Sequence, residues 1–257
     1  NVTPDSFSDG GRFFNHDRAV DHARRMADEG ADVIDIGGES TRPGAAPVSL
    51  EEERRRVLPV IERLSGLLRI PLSIDTTKAA VADEAVRAGA VIINDISALR
   101  ADPDMAALAA RCGAAVVLMH MRGTPRTMQR QVAYDAMIPE ISAFFRERID
   151  CARAAGIGER SIMIDPGIGF GKSVPDGNLA LLRHLGCFAS LHQPVLVGPS
   201  RKAFIGGVLG SGAEDREDGT AAAVAIAVAN GASMVRVHNV GMMKRVVAMA
   251  DAIMAAG

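Results

Sequence analysis

One local pattern, repeated four times, limits what this chain can become. A helix-forming stretch runs into Gly, then Ala or Ala-like small residues, then an apolar run. It reads EGADVIDI from Glu29, AGAVIIND from Ala88, CGAAVVLM from Cys112 and NGASMVRV from Asn230. Gly30, Gly89, Gly113 and Gly231 suit the left-handed position that closes a helix. The run after each reads as a strand apolar on both faces, as buried parallel strands require. Ile70–Ile74, Ile162–Ile164 and Pro194–Val197 are of the same kind, giving seven expected strands.

Amphipathic stretches alternate with these strands. Ser49 and Glu52 form a capping box ahead of a helix through about Leu64. Asp102-Pro103 pairs an N-cap with a first-turn proline. Further helices are expected over about Asp17–Asp28, Thr77–Ala88, Tyr134–Ala155, Leu179–Leu185, Thr220–Ala229 and Gly241–Ala255, with Pro59 and Pro139 kinking or delimiting theirs. Strict β-α alternation implies parallel strands with right-handed crossovers. Two architectures satisfy it, a doubly wound open sheet and an eight-stranded barrel. The barrel needs an eighth strand immediately before Asn1, and NVTPD reads as the mouth of a βα loop. The expectation is therefore an α/β fold, a (β/α)8 barrel with its first strand upstream of Asn1 and residues 1–257 forming a single domain.

Charge and cysteine usage narrow the partners. With a net charge of −2 the chain has no basic character that would favour nucleic acid or an acidic membrane surface. No apolar stretch is long enough to cross a bilayer. Cys112, Cys151 and Cys187 are odd in number, far apart and without a C-x-x-C, which argues for a reducing, cytoplasmic setting and against a disulfide framework.

In either architecture ligands sit at the carboxyl ends of the strands. Those ends carry Asn1, Asp35, Asp75, Asn94-Asp95, His120, Asp165, Ser200-Arg201-Lys202, Arg236 and His238. Asp75 alone could merely cap the next helix, and His120 and His238 could be ordinary half-buried histidines. Capping does not account for Asn94, Asp165 and Arg236 as well. Asp75, Asp165 and Asn94 suit a flat heterocycle with ring N–H and amino donors, each needing a partner on burial. Arg42, Arg236, His238 and Asn1 offer donors for an anion, with arginine apt for a bidentate grip on phosphate. Ser200-Arg201-Lys202 opens a helix and can hold a second anion such as a carboxylate. The run SIMIDPGIGFGK ends on Asp165 and turns through three glycines, with Phe170 and Lys172 at its tip. It lacks G-K-[ST] at the required spacing, which rejects a nucleotide-triphosphatase reading. No zinc spacing is present; a Mg²⁺ carried mainly by a diphosphate and touching one protein oxygen fits better.

NVTPDSFSDGG, DIGGESTRPGA, SIDTTKA, INDISAL, MHMRGTP, IDPGIGFGK, SRKAFIG and RVHNV, in this order from Asn1 through the end of the chain, closely resemble the dihydropteroate synthase family. The resemblance implies a (β/α)8 barrel, usually a homodimer, acting in folate synthesis. It joins 6-hydroxymethyl-7,8-dihydropterin diphosphate to p-aminobenzoate and is the target of sulfonamides. By motif position, Asp75, Asn94, Asp165 and Lys202 would hold the pterin, and Asn1 would touch Mg²⁺. Arg42, Arg236, His238 and Asn1 would hold the diphosphate. Phe7, Thr41, Pro43, Phe170 and Ser200 would line the p-aminobenzoate site. Loops Val2–Gly11 and Glu39–Pro47 are expected to close over bound substrate. Ala203 stands where many members carry a hydroxyl, but its backbone N–H remains, so p-aminobenzoate binding should survive. A pterin-dependent methyltransferase or a non-catalytic pterin-binding paralogue shares the Asp/Asn/Asp set. The methyltransferase would not need Ser200-Arg201-Lys202, the STRPG loop or the arginine-histidine grip on diphosphate.

Overall fold

A computed structural model of the chain describes residues 1–3, 12–42, 44–130, 132–174, 177–212 and 214–256, for 12–15 the backbone alone. Its contacts divide it into two units: Asn1–Leu118 with Arg148–Ile162, and Met119–Glu147 with Met163–Gly257.

The first unit runs α1 (Arg12–Asp28), β1 (Ile34–Gly37), α2 (Leu50–Leu67), β2 (Leu72–Asp75), α3 (Ala79–Arg87), β3 (Ile92–Asp95), α4 (Met105–Cys112) and most of β4 (Ala115–Met119). All pairings are parallel, with Gly37 opposite Asp75, Asp75 opposite Asn94 and Asn94 opposite Val117. Asp75 and Asn94 thus stand in one row at the strand ends. Ile34, Ile36, Leu72, Ile74, Ile93 and Val116 are buried, as are Val57, Val60, Ile61 and Leu64 on α2. Each such side chain contributes about 1.5–3 kcal/mol. The four helix-closing glycines all take positive φ, from 70° at Gly113 to 122° at Gly89.

Helix starts follow local chemistry only in part. Ser49 Oγ accepts from Glu52 N–H at 3.2 Å, and Glu51, Glu52 and Glu53 favour the positive end of α2. The helix runs on through Pro59, which neither ends it nor divides it, because the buried residues on both sides hold it. Asp102 does not cap α4: its Oδ2 accepts from Ala79 N–H at 2.8 Å, so it closes the start of α3. That N–H goes to Asp102, and α3 begins two residues later than Thr77.

The second unit contains the end of β4, most of α5 (Met137–Ala154) and of β5 (Ile162–Asp165), then α6 (Asn178–Arg183), β6 (Leu196–Val197), α7 (Ala203–Leu209), α8 (Glu217–Ala229), β7 (Met234–Val235) and α9 (Val240–Ala255). The helix expected to reach Leu185 stops at Arg183, and a 3-10 stretch, Leu185–Leu191, follows it. His120 N–H donates to the Asp165 carbonyl at 2.8 Å, and Ile164 N–H to the Pro194 carbonyl at 3.0 Å. Ile164 bridges Val195, and β6 pairs with β7 in parallel. Phe145 and Phe188, both fully buried, meet edge to face at 5.9 Å. All seven expected strands are present among the described residues. No helix there is long and apolar enough to cross a membrane.

Candidate active site

In the first unit, Asn94 is buried and donates its amide to Asp35 Oδ2 at 3.1 Å, reaching diagonally over β2. Asp75 ends β2 beside it. Gly37 makes room: a Cβ there would lie 3.3 Å from the Asp75 Cβ. Asn1 sits at the same end of β1, because Val2 N–H donates to the Gly37 carbonyl at 2.8 Å. The structure therefore groups Asn1, Asp35, Asp75 and Asn94.

Asp95 belongs to a different task. Fully buried, it accepts from Ser97 N–H at 2.7 Å and Leu99 N–H at 2.8 Å, holding a turn where Ala98 and Leu99 are left-handed. Burial raises its pKa, against the pull of those hydrogen bonds.

The loop after β1 carries Thr41, half-buried, and Arg42, exposed. Its root is tied down. Arg56 donates to the Gly38 carbonyl at 2.8 Å, and Lys78 bridges Glu39 and the fully buried Glu53. Burial works against the Lys78 charge, but its two carboxylates outweigh it and raise the pKa.

The second unit gathers the rest. Asp165 is 8% exposed and its Oδ1 accepts from Gly167 N–H at 2.7 Å. Burial raises its pKa, opposed by Lys202, the Gly167 N–H, Lys172 and Arg236. One anion thus faces three cations. Gly169, at φ 83°, lets Lys202 pass, since a Cβ there would stand 2.8 Å from Lys202 Cδ. Lys202 donates to the Ile168 carbonyl and lies 4.5 Å over the Phe170 ring. Arg236 hangs from β6 through its N–H to the Val197 carbonyl at 2.9 Å.

Ser200 Oγ lies 2.8 Å from His238 Nδ1 and accepts from the His238 N–H at 3.3 Å. Partial burial, then Arg236 and Arg201, push the His238 pKa down to about 4, although the residue keeps an exposed edge. A neutral ring whose Nδ1 accepts from Ser200 carries its proton on Nε2, ready to donate to an anion. Between Ser200 and Lys202, Arg201 is left-handed at φ 55°. Its N–H donates to the buried Thr220 hydroxyl at 3.1 Å, its carbonyl accepts from Arg216 at 3.0 Å, and its guanidinium pairs with Glu217.

Phe7 and Pro43, and much of the loop Val2–Gly11, lie outside the described residues. Lys172, expected at the tip of the glycine turn, is 3% exposed and bonded to His120. His120 was expected at this rim from its strand end, whereas Asn178, which also braces the turn, carries no local signal that would single it out. No group of three His, Cys, Asp or Glu that could cage a metal stands among the described residues. The Asn1 carboxamide oxygen is a hard donor of the kind Mg²⁺ takes alongside phosphate oxygens.

The pterin binding enzyme family matches residues 1–238, spanning parts of both units. The dihydropteroate synthase of Bacillus subtilis is 48% identical over 257 residues, covering 100% of this chain and 87% of its own. The structure of Yersinia pestis dihydropteroate synthase with a sulfonamide drug complex matches with a TM-score of 0.94 at 46% identity, over 100% of this chain and 92% of that one. The Xanthomonas albilineans enzyme with 4-aminobenzoic acid matches at 0.93 and 48% identity, with the same coverage of 100% and 92%. These likenesses bear out the fold class implied by the sequence motifs, an α/β fold of the (β/α)8 barrel type.

Proposed function

The chain belongs to the pterin-binding enzyme family, within its dihydropteroate synthases, and from that premise we propose how its own residues carry the reaction. The substrates are 6-hydroxymethyl-7,8-dihydropterin diphosphate and p-aminobenzoate; the products are 7,8-dihydropteroate and diphosphate. The C–O bond breaks with its electron pair going to diphosphate, leaving a cation delocalised over the pterin. The p-aminobenzoate nitrogen gives its lone pair to the methylene carbon and loses a proton.

Asp75, Asn94, Asp165 and Lys202 hold the pterin, matching its ring N–H and amino groups and its carbonyl. Arg42, Arg236, His238 and Asn1 take the diphosphate, His238 through Nε2–H. Phe7, Thr41, Pro43, Phe170 and Ser200 line the place of p-aminobenzoate, where sulfonamides compete. Asn1 would hold a Mg²⁺ alongside the diphosphate, where the ion would supply positive charge to the leaving group.

One observation carries the reading: a buried carboxylate, Asp165, facing Lys202 and Arg236. An anion for the developing cation and cations for the departing anion are what heterolysis asks of a protein. The apolar side chains of Ile226 on α8 and of Met249, Ile253 and Met254 on α9 are exposed, which supports a homodimer through these helices. Three free cysteines agree with a cytoplasmic setting.

The test is a one-pot assay with labelled p-aminobenzoate and the pterin diphosphate, with and without Mg²⁺. Asp165→Asn should lower turnover by about 100-fold or more while unfolding stays cooperative. Unchanged turnover in that variant sinks the assignment.

A further inference from the structure

Beneath the glycine turn after β5 lies a pair of bases that the chemistry above leaves unused. Lys172 is 3% exposed and His120 7%. Lys172 Nζ donates to the Phe170 carbonyl at 2.9 Å and stands 3.1 Å from His120 Nδ1, with the His120 carbonyl at 3.4 Å. The imidazole packs edge-on against Phe144, centroids 4.9 Å apart. Its backbone N–H donates to the Asp165 carbonyl. On the far side of the turn Asn178, 2% exposed, accepts from Gly169 N–H at 2.6 Å and donates to the Lys172 and Ser173 carbonyls.

Packing alone would favour Met or Leu where Lys172 lies, because burying an ammonium is expensive without partners. Here every partner belongs to the turn or to the strand end beside it. The titratable groups around Lys172 are His120, Asp165 and Lys202, and those facing Asp165 are Lys202, Lys172 and Arg236.

We propose that Lys172 is a positioning residue for the reaction: by bridging His120 and the Phe170 carbonyl it fixes the turn that carries Asp165 and Phe170, and it adds a positive charge behind Asp165. The inference rests on the dihydropteroate synthase reading. Burial pulls the Lys172 pKa down to about 7, so the added charge is complete in acid and fades above neutrality.

Lys172→Met keeps length and removes charge. Asp165 must be ionised to act, and losing a facing cation makes it harder to ionise. The acid limb of kcat/KM should therefore move up by about one pH unit. KM for p-aminobenzoate should rise roughly tenfold as Phe170 loosens. A lysine that merely filled space would lower Tm and leave limb and KM in place; that result overturns the proposal. Where Lys172→Met does not fold, His120 serves. Asn Oδ1 can stand in for Nδ1, so His120→Asn should keep KM within about threefold of wild type, whereas His120→Leu should raise it as Lys172→Met does. Equal behaviour of the two overturns it. Should the wild-type protein make no dihydropteroate, the function assignment fails alone. Carboxyl ¹³C titration still reads the inference, with the Asp165 midpoint higher in Lys172→Met than in wild type; coincident midpoints refute it.

Discussion

Replacing Gly169 by Ala asks whether Lys202 must lie where it does. Two effects combine in that variant. The first is backbone: at φ 83° an L side chain costs about 1–2 kcal/mol. The second is steric, because the new Cβ would stand 2.8 Å from Lys202 Cδ, closer than carbons approach. Lys202 must shift, lifting its ammonium from the Phe170 ring and from its place facing Asp165. Gly113→Ala separates the two effects, since Gly113 is also left-handed at φ 70° but a Cβ there meets nothing within 4 Å. Both variants should lose Tm by about 2–8 °C, at roughly 2–4 °C per kcal/mol for a chain of this size. Only Gly169→Ala should lose kcat/KM, by about 10- to 100-fold, or roughly 1.4–2.7 kcal/mol of transition-state stabilisation. The assay pairs calorimetry with initial rates on both variants. Equal rates in the two, or a Gly169→Ala enzyme that is less stable yet fully active, would refute the argument.

Lys78→Met should cost about 3–5 kcal/mol in urea unfolding, because it strands Glu53, whose side chain is 1% exposed, without its cation. The Glu53 Oε1 has no hydrogen-bond partner among the described residues; a change below about 1 kcal/mol would contradict this. His238 makes a claim about pH. Its folded pKa of about 4 lies below the ordinary 6.5, so between those values the unfolded chain binds more protons and stability falls as pH drops through the window. Thermal melts from pH 7 to pH 4 should lose less Tm in His238→Asn than in wild type; parallel curves would show the histidine is not the cause.

What the sequence made legible was whatever is encoded locally. Glycine, a small residue and then an apolar run close a helix and start a strand within six positions, so four strands and their left-handed glycines could be read off, and the other three strands stood out as short apolar runs. The strand-end positions of Asp75, Asn94, Asp165 and Arg236 followed from those strands. Partners across long gaps were not legible. Asp102 next to Pro103 looks like the start of its own helix, yet it serves Ala79, 23 residues earlier. Asp95 looked like one of the rim residues alongside Asn94, but its two oxygens are committed to the turn that follows. Lys172 read only as a tip residue of a glycine turn; only folding brings His120, 52 residues before it, within reach.

The hydroxyl of Thr220 donates to the Arg216 carbonyl at 2.7 Å while accepting from Arg201. An exposed, left-handed arginine in the turn after β6 is thereby moored to a buried hydroxyl in the first turn of α8. Ser200 and Lys202, on either side of it, should then depend on the start of α8 as well as on the strand they follow. Warming should blunt their grip on ligands while β6 and β7 are still paired, so inactivation precedes melting.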